Sequence, residues 1–338
     1  MAVTVEVHQA TLPLLIVHGG AGAYLKTTTR EQRVARGETL ARIARQAHAC
    51  FPAEGARGVV LAAIRALEDD PGFNAGWGSR LQRDGEARLS ASLMDGRALR
   101  LSAVYNTRGH RHPVDLADAL QARADRNLDG DGARLLMAEL GIAPEDVRCP
   151  ESLERWQRLL ELGDDVDREG AIGSAGAKAA DRAREAGIAV PSDFRGEEVP
   201  EEGNRYGTVG AVACDAGGLW ASTSTGGRGH EAVGRISDSP TPAGNYACAE
   251  IGLSATGFGE QILDLNLAGR IATRVIDGAS LEEALHRTFA EVERHEGLLG
   301  VIAVTARGEV GYAHSTEACG VAWVDGAGAV HVDRHGRS

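Results

Sequence analysis

Apolar residues recur along this chain with two periods, one typical of helices and the other typical of strands. Residues 14–17 form a short apolar run that predicts a buried strand, and the glycine-rich segment 18–22 follows it. Val34, Leu40 and Ile43 recur at the spacing of one helical face. The same patterns predict helices over 30–49, 56–67, 114–138, 174–187, 259–277 and 281–295. Further strands are predicted over 87–93, 100–105, 208–214 and 219–225, with four short strands between 301 and 332.

The order of these elements favours an α+β fold. Most predicted strand pairs are joined by tight turns, and helices flank the strand groups, which is typical of antiparallel sheets covered by helices. With 338 residues, 43% of them hydrophobic, the chain can form one large domain or two smaller ones. Aromatic residues make up only 4% and there are 44 glycines, so we expect closely approaching backbones and small aliphatic side chains in the core.

One segment has no apolar period. Residues 191–207, PSDFRGEEVPEEGNRYG, contain two prolines, three glycines and an excess of acidic residues. Such a segment buries too little apolar surface to offset the entropy lost on ordering. We predict a flexible, exposed linker here.

Charge and cysteine content exclude several classes of protein. The formal net charge of −12, without a cluster of Lys or Arg, disfavours nucleic acid and anionic membrane surfaces as partners. The five cysteines are odd in number, scattered and never in a C-x-x-C pair, which favours reduced thiols over disulfides or zinc. The N-terminal segment lacks a basic n-region, and no stretch approaches the ~20 apolar residues of a membrane span. We therefore expect a soluble, cytoplasmic protein.

Two threonines stand at matching ends of a predicted hairpin. The segment GTVGAVACD leads into a turn, and LWASTSTGG leads out of it. A two-residue loop at 216–217 would place Asp215 opposite Gly218, and counting back along both strands then places Thr208 opposite Thr225. Directly opposed residues have Cβ atoms ~5 Å apart, close enough for two hydroxyl groups to share a hydrogen bond.

Thr208 is a candidate nucleophile that requires a base. A threonine hydroxyl is a weak nucleophile unless a neighbouring group takes its proton, and the hairpin contains no histidine. The α-amine of the same residue, with a pKa near ~8, could serve if the Gly207–Thr208 bond were cut. Glycine before the threonine suits a strained, cleavable bond. The simpler alternative is a strand that begins with Gly-Thr after a loop.

Three further segments contain candidate chemistry. In GRISDSP, Arg235 can grip a carboxylate with a two-N–H fork and Asp238 can hold an ammonium group, which together match a free amino acid; the alternative is a surface salt bridge. In LSATGFGE, Thr256 and Gly257 precede a helix and can face an oxyanion; the alternative is an ordinary helix start. His18 begins HGGAG, which we interpret as close backbone packing because no nucleotide-binding motif surrounds it.

These motifs together resemble a known family. IVHGGAGA, LEDDPGFNAGWGS, GTVGAVACD, TSTGG, GRISDSP and SATGFGEQIL are similar to motifs of the plant-type L-asparaginases and isoaspartyl peptidases, which are N-terminal nucleophile hydrolases. The likeness covers nearly the whole chain and is strongest from 206 to 263. It implies one domain, a four-layer αββα sandwich, that cuts itself into an α chain 1–207 and a β chain 208–338. It also implies a homodimer of αβ units, a small-molecule substrate and no organic cofactor.

The resemblance assigns the reacting groups. It implies that the cut falls between Gly207 and Thr208, and that Thr208 is the nucleophile and, through its freed amine, the base. Thr225 would support the nucleophile by hydrogen bonding, and Thr256 with Gly257 would form the oxyanion hole. The substrate would be L-asparagine or a β-aspartyl dipeptide, cleaved through a β-aspartyl-threonine intermediate.

The resemblance also assigns substrate and metal contacts. Arg235 and Asp238 would hold the α-carboxylate and α-amine of the substrate, while Gly259 and Asn74 would line the site. A structural sodium ion would be held by main-chain carbonyl groups of the LEDDPGFNAGW loop. Those carbonyl groups would include the ones of Leu67, Glu68, Phe73 and Ala75.

Several departures affect substrate selectivity more than chemistry. Where the family usually reads GRVGDSP, this chain has Ile236 and Ser237, and Ser90 replaces a common aspartate. The hairpin is also one residue shorter than is common, and residues 139–190 match poorly. Glycosylasparaginase activity is less favoured, because the chain reads TSTGG rather than TSTNG. The motifs are also compatible with a non-processed amino-acid-binding homologue, or with a small-molecule kinase built around HGGAG.

Overall fold

The computed structural model describes residues 3–22, 29–161 and 207–333. The predicted helix over 174–187 and the predicted linker up to residue 206 lie outside these residues. The helices are α1 (Arg30–His48), α2 (Phe51–Asp69), α3 (Pro113–Leu120), α4 (Gly130–Glu139), α5 (Pro150–Glu161), α6 (Gly259–Leu265), α7 (Leu267–Ile276) and α8 (Leu281–Arg294).

The strands form two sheets. They are β1 (Thr4–Gln9), β2 (Leu14–Gly22), β3 (Leu89–Asp95), β4 (Arg100–Thr107), β5 (Asn127–Leu128), β6 (Val209–Asp215), β7 (Gly218–Thr225), β8 (Asn245–Ala247), β9 (Ile251–Gly257), β10 (Leu299–Thr305), β11 (Glu309–His314), β12 (Ala318–Val324) and β13 (Val330–Val332). One sheet has the order β1-β11-β10-β9-β8 and the other β13-β12-β2-β6-β7-β3-β4-β5. Neighbouring strands run antiparallel, apart from the parallel pair β4–β5.

The two sheets pack face to face between layers of helices. Strand β2 illustrates this packing, because its alternate side chains point to opposite faces of the sheet and belong to different hydrophobic clusters. Leu14 and Ile16 pack between the sheets with residues such as Ile302, whereas Leu15 and Val17 face the layer of α1 and α2. Burying each such side chain contributes about 1.5–3 kcal/mol. Helices α7 and α8 cover the other sheet. The predicted α+β fold, a four-layer αββα sandwich, is confirmed.

Two predicted helices are interrupted. The predicted helix over 114–138 is wrong in its middle, because the chain leaves α3 and pairs as β5 with β4. Helix α4 then begins after the N-cap residue Asp129, whose side chain accepts a hydrogen bond from the amide of Gly132 at 2.8 Å. The predicted helix over 259–277 breaks at Asn266, whose φ of 48° is left-handed. Strand pairing and a left-handed residue therefore override helical periodicity.

Strands at the C-terminal end follow the prediction, whereas β1 and α5 are additional elements. The four short strands predicted between 301 and 332 are β10 to β13. Helix α5 carries a buried Ser152, whose hydroxyl lies beside the thiol of Cys149. Across residues 3–22, 29–161 and 207–333, no helix combines the length and apolar character needed to cross a bilayer.

Candidate active site

The hairpin of β6 and β7 brings the two predicted threonines together. Asp215 pairs with Gly218 at the turn, and Val209 pairs with Ser224 at the other end of the ladder, which is the predicted register. Thr208 immediately precedes β6, and its hydroxyl donates a hydrogen bond to the hydroxyl of Thr225 at 3.2 Å. Both side chains are buried, with exposed fractions of 7% and 3%.

A cavity opens at this end of the hairpin. Its empty volume, which includes open solvent at its mouth, is about 420 Å³, and Gly207, Thr208 and Thr225 form part of its wall. Arg235 and Asp238 line the same cavity. The structure therefore brings the predicted nucleophile and the predicted substrate clamp into one space.

Asn74 is connected to Thr225 through the main chain of Gly227. Its side-chain amide donates to the carbonyl of Gly227 at 2.5 Å, and its Oδ1 accepts from the amide of Arg80 at 2.9 Å. The amide of Gly227 donates in turn to the hydroxyl of Thr225 at 3.2 Å. Asn74 is fully buried and also lines the cavity. It thus fixes the loop that orients the hydroxyl of Thr225.

Arg235 has one edge engaged by a neighbouring carboxylate. Its Nε and Nη2 each donate to Glu260 at 2.8 Å, and the side chain is only 11% exposed. Its partner in this pair is Glu260 rather than Asp238, so the alternative of an exposed salt bridge between Arg235 and Asp238 is not formed. Burial opposes ionisation of Glu260, yet the hydrogen bonds from Arg235 keep the pKa of its carboxyl below the usual range. The outer edge of the guanidinium, formed by Nη1 and Nη2, is left to contact a ligand.

Asp238 is a buried carboxyl group with an unsatisfied oxygen. It is 2% exposed, and its Oδ2 has no hydrogen-bond partner among the residues that the structure describes. Burial raises the pKa of Asp238 to about 7, against the opposing effect of Arg235. An unsatisfied buried acceptor is costly unless a ligand completes it. Asp238 is therefore suited to bind a cationic group from a ligand.

The predicted oxyanion residues end strand β9. Gly257 lines the cavity with a φ of 131°, and a Cβ there would stand 2.3 Å from the carbonyl oxygen of Leu298, so only glycine fits. Thr256 is fully buried, and its hydroxyl accepts from the amide of Ala21 at 3.2 Å. That hydroxyl also lies 3.9 Å from the position of a Cβ on Gly207. Thr256 thus faces the junction between Gly207 and the nucleophile.

Sequence reasoning missed two serines beside the site. The hydroxyl of Ser239 lies 3.4 Å from that of Thr208, so the nucleophile has a second hydroxyl neighbour. Ser237 lines the cavity, whereas the sequence shows it only as a departure from the usual motif. Both serines lie in GRISDSP, so their closeness in sequence to Arg235 and Asp238 could have identified them as candidate site residues. Their contacts arise from a loop that returns to β6, which residue spacing does not reveal.

The glycine-rich segment after the first strand is itself a strand. Residues 18–22 are buried within β2, and a Cβ on Gly19 would stand 2.4 Å from the ring of Phe73. The interpretation of HGGAG as close backbone packing is confirmed. The Nε2 of His18 lies 2.9 Å from the hydroxyl of Ser254, and burial lowers the pKa of His18 to about 3. His18 is therefore neutral near pH 7.

Gly210 explains the second glycine of the GTVG motif. It pairs with His18 across β2 and β6, and a Cβ on Gly210 would stand 2.0 Å from the hydroxyl of Ser254 and 2.3 Å from Nε2 of His18. Any larger residue must push the two sheets apart immediately behind the nucleophile. A glycine is thus required two residues after Thr208.

We expect Gly210→Ala to destabilise the protein by about 2 kcal/mol or more, the usual range for overpacking. The matched control is Gly320→Ala in β12, where a Cβ would meet only Cδ1 of Leu40, at 3.1 Å. The midpoint of urea unfolding, compared across wild type and both variants, measures the effect. Equal midpoints for the two variants would contradict the steric role of Gly210.

The loop between α2 and β3 brings main-chain carbonyl groups close to two glycines. A Cβ on Gly76 would stand 2.3 Å from the carbonyl oxygen of Glu68, and one on Gly78 would stand 2.0 Å from that of Phe73. Only glycine therefore fits at each of these two positions. Burial raises the pKa of Glu68 well above its usual range, against the effect of the hydrogen bond that Ser224 donates to its carboxyl group. In the described part of the chain, no cluster of three or more His, Cys, Asp or Glu suits a metal ion.

Comparison with known proteins identifies relatives over almost the whole chain. A family model described as asparaginase matches residues 11–333. An isoaspartyl peptidase/L-asparaginase from Nostoc sp. is 38% identical over 317 residues, covering 93% of this chain and 92% of that protein. A human protein of the same name is 34% identical over 303 residues, covering 88% of each chain. A plant-type L-asparaginase from Thermococcus kodakarensis is 32% identical over 311 residues, covering 90% of this chain and 93% of that protein.

The agreement extends across both sheets and both sides of the hairpin. The matched residues include the strand before HGGAG, the loop with Asn74, and the segment from Thr208 to Gly259 that forms the cavity wall. A match of this extent, together with several relatives above 30% identity, defines the family. The chain therefore belongs to the asparaginase family described by that model, whose fold is that of the N-terminal nucleophile hydrolases.

Proposed function

We propose that the protein is a self-processing amidohydrolase that cleaves the β-amide of L-asparagine and the isopeptide bond of β-aspartyl dipeptides. One observation carries the proposal. A single cavity is lined by Thr208, the residue that immediately follows Gly207, together with Arg235 and Asp238. The names of the relatives, isoaspartyl peptidase/L-asparaginase and plant-type L-asparaginase, support the same activity.

Self-processing begins at the Gly207–Thr208 bond. The hydroxyl oxygen of Thr208 attacks the carbonyl carbon of Gly207, and its proton passes to the amide nitrogen as the C–N bond breaks. Water then hydrolyses the resulting ester, which leaves a carboxyl group on Gly207 and a free amine on Thr208. Thr256, whose hydroxyl faces Gly207, is the proposed donor to the developing oxyanion.

Hydrolysis of substrate uses the new amine as the base. The α-amine of Thr208 takes the proton of its own hydroxyl, and the oxygen attacks the side-chain carbonyl carbon of the substrate. Thr256 and Gly257 stabilise the oxyanion, and the proton is returned to the departing ammonia or amino acid. Water hydrolyses the β-aspartyl ester of Thr208, releases aspartate and restores the hydroxyl. Thr225 orients the hydroxyl of Thr208 through a hydrogen bond, before it attacks the substrate and after the ester is hydrolysed.

The clamp distinguishes the two charged groups of the substrate. Asp238 lines the cavity, and its carboxyl group suits the α-ammonium group. Arg235 presents its outer edge to the α-carboxylate, because the edge formed by Nε and Nη2 is bonded to Glu260. Gly259 lies against both side chains, because a Cβ on it would stand 2.8 Å from Nη2 of Arg235 and 2.9 Å from Oδ1 of Asp238.

Glycosylasparaginase activity and a non-catalytic binding role compete with this proposal. Assays of L-asparagine, a β-aspartyl dipeptide and N4-glycosyl asparagine side by side test it. We expect turnover of the first two and little of the third. Turnover confined to the glycosylated substrate would favour glycosylasparaginase. An uncut chain that binds aspartate without turnover would favour the binding role.

We propose that a structural sodium ion occupies the loop after α2. The main-chain carbonyl groups of Leu67, Glu68, Phe73 and Ala75 would hold it, since hard oxygen ligands suit such an ion. We also propose a cytoplasmic homodimer of αβ units that uses no organic cofactor and binds neither nucleic acid nor membranes. The net charge of −12 supports the last part of this proposal.

Sodium should raise the thermal stability of the protein. An ion that binds only the folded state stabilises by about 2.7 kcal/mol at 100 times its dissociation constant. We therefore expect a Tm several degrees higher in sodium chloride than in choline chloride of equal ionic strength. Equal Tm values in the two salts would contradict a sodium site. Gly78→Ala places a Cβ against the carbonyl oxygen of Phe73, one of the proposed ligands. This variant should have the same Tm in sodium chloride and in choline chloride.

A further inference from the structure

Ser237 carries a buried hydroxyl group that has no hydrogen-bond partner in the part of the chain that the structure describes. Its side chain is only 6% exposed. The same residue lines the cavity that contains Thr208. Native proteins rarely leave buried hydroxyl groups unsatisfied, because the loss of hydration is not compensated. A ligand in the cavity is therefore the natural partner of this hydroxyl.

We propose that Ser237 is a third substrate-binding group, whose hydroxyl donates a hydrogen bond to the α-carboxylate of the substrate. The proposal rests on the proposed amidohydrolase function and specifies how the substrate is recognised. It concerns the serine of the GRISDSP segment, between Arg235 and Asp238.

The geometry places Ser237 within the clamp. A Cβ built on Gly259 would stand 2.8 Å from Nη2 of Arg235, 2.9 Å from Oδ1 of Asp238 and 3.0 Å from Cβ of Ser237. All three side chains therefore surround one point on the cavity wall. A substrate backbone that passes over Gly259 lies within reach of all three.

The engagement of Arg235 by Glu260 explains what a second donor contributes. A carboxylate is normally gripped by two parallel N–H groups of an arginine, which form a planar fork. In this structure Glu260 occupies the fork of Nε and Nη2, at 2.8 Å for each bond. The other edge, formed by Nη1 and the second N–H of Nη2, can still grip a substrate carboxylate, but the negative charge of Glu260 on the same guanidinium weakens the attraction. Ser237 is the adjacent side chain with an available O–H group.

The charges of the clamp assign Ser237 to the carboxylate rather than the ammonium group. Asp238 is the negatively charged member of the cavity wall and accepts hydrogen bonds, so it binds the ammonium group. Arg235 is a donor on the other side of Ser237 in the sequence. A hydroxyl between them can donate to the anion bound by Arg235. Glycine at this position would offer neither the hydrogen bond nor the narrower cavity.

Inhibition constants of three product analogues test the proposal. L-aspartate has both α-groups, succinate lacks the α-ammonium group, and β-alanine lacks the α-carboxylate. We expect Ser237→Ala to weaken inhibition by aspartate and by succinate about tenfold, as for one hydrogen bond to a charged group. Inhibition by β-alanine should not change. KM for asparagine should rise by a similar factor while kcat changes little, and Ser237→Thr, which keeps the hydroxyl, should restore most of the affinity.

The controls separate this proposal from its competitors. Ser152→Ala removes an equally buried hydroxyl in α5, outside the cavity, and should leave all three constants unchanged. Equal weakening of all three ligands by Ser237→Ala would indicate a structural role, and weakening of β-alanine alone would indicate a contact with the ammonium group. Either result would overturn the proposal. Wild-type protein that does not hydrolyse asparagine would instead contradict the proposed function.

Discussion

Thr208→Ala should yield a single full-length chain on a denaturing gel, with no measurable hydrolysis of asparagine. The variant lacks the hydroxyl that attacks Gly207, so no cut can begin. It consequently lacks both the nucleophile and the free α-amine that activates it. Removing a nucleophile and its base together costs roughly 10⁴-fold or more in kcat. We expect activity at the assay background.

Thr208→Ser is the matched control for this variant. Serine keeps the hydroxyl and, after a cut, the α-amine, and it loses only a methyl group. We expect two chains and residual activity from Thr208→Ser. Thr208→Ala should keep the fold, because it loses only the two hydroxyl contacts of wild-type Thr208. These are with Thr225 at 3.2 Å and with Ser239 at 3.4 Å. Two bands from Thr208→Ala would show that the cut lies elsewhere.

Asp238→Asn should separate activity from stability. The amide cannot neutralise the α-ammonium group of the substrate, and truncating one partner of a buried charge pair costs about 2–5 kcal/mol. We therefore expect kcat/KM for asparagine to fall by about 10²–10³-fold. Asn keeps the size of the side chain, so the effect comes from charge. The measurement is steady-state kinetics on asparagine at about pH 8, above the pKa of about 7 for wild-type Asp238.

The stability of Asp238→Asn relative to wild type should increase as the pH rises. Burial raises the pKa of Asp238 to about 7 in the folded protein, compared with 3.8 as its ordinary value. Between these two values the folded state holds a proton that the unfolded state has lost, so wild-type stability falls as the pH increases. The slope is at most about 1.4 kcal/mol per pH unit.

Thermal unfolding at several pH values measures this contribution. The difference in Tm between Asp238→Asn and wild type should grow in favour of the variant from about pH 5 to about pH 7 and then level off. His18 titrates with the opposite sign but is common to both proteins, so its effect cancels in the difference. A Tm difference that does not change over this range would contradict the raised pKa of Asp238.

Local sequence rules were sufficient for the hairpin at the centre of the site. A two-residue turn fixes the pairing of Asp215 with Gly218, and every later pair along β6 and β7 follows by counting. The placement of Thr208 beside Thr225 is therefore a short-range consequence of turn geometry. The clamp motif likewise identified Arg235 and Asp238, which both reach the cavity because one loop carries them.

Contacts between distant segments could not be read from spacing. The bond between Arg235 and Glu260 joins a loop to helix α6, and it changes which edge of the guanidinium a substrate can use. The contact of His18 with Ser254 crosses between the two sheets. The break in the predicted helix over 114–138 comes from pairing of β5 with β4. Each depends on how separate elements meet in space, which periodicity does not encode.

Intact-mass spectrometry combined with terminal sequencing of the active enzyme tests the central claim most directly. The claim is that cleavage of one peptide bond creates both the nucleophile's free amine and the working enzyme. We predict two chains from the 338-residue precursor, with a new terminus that reads Thr-Val-Gly-Ala and begins at Thr208. A fully active preparation that consists only of the uncut chain, or whose new terminus begins at another residue, would contradict it.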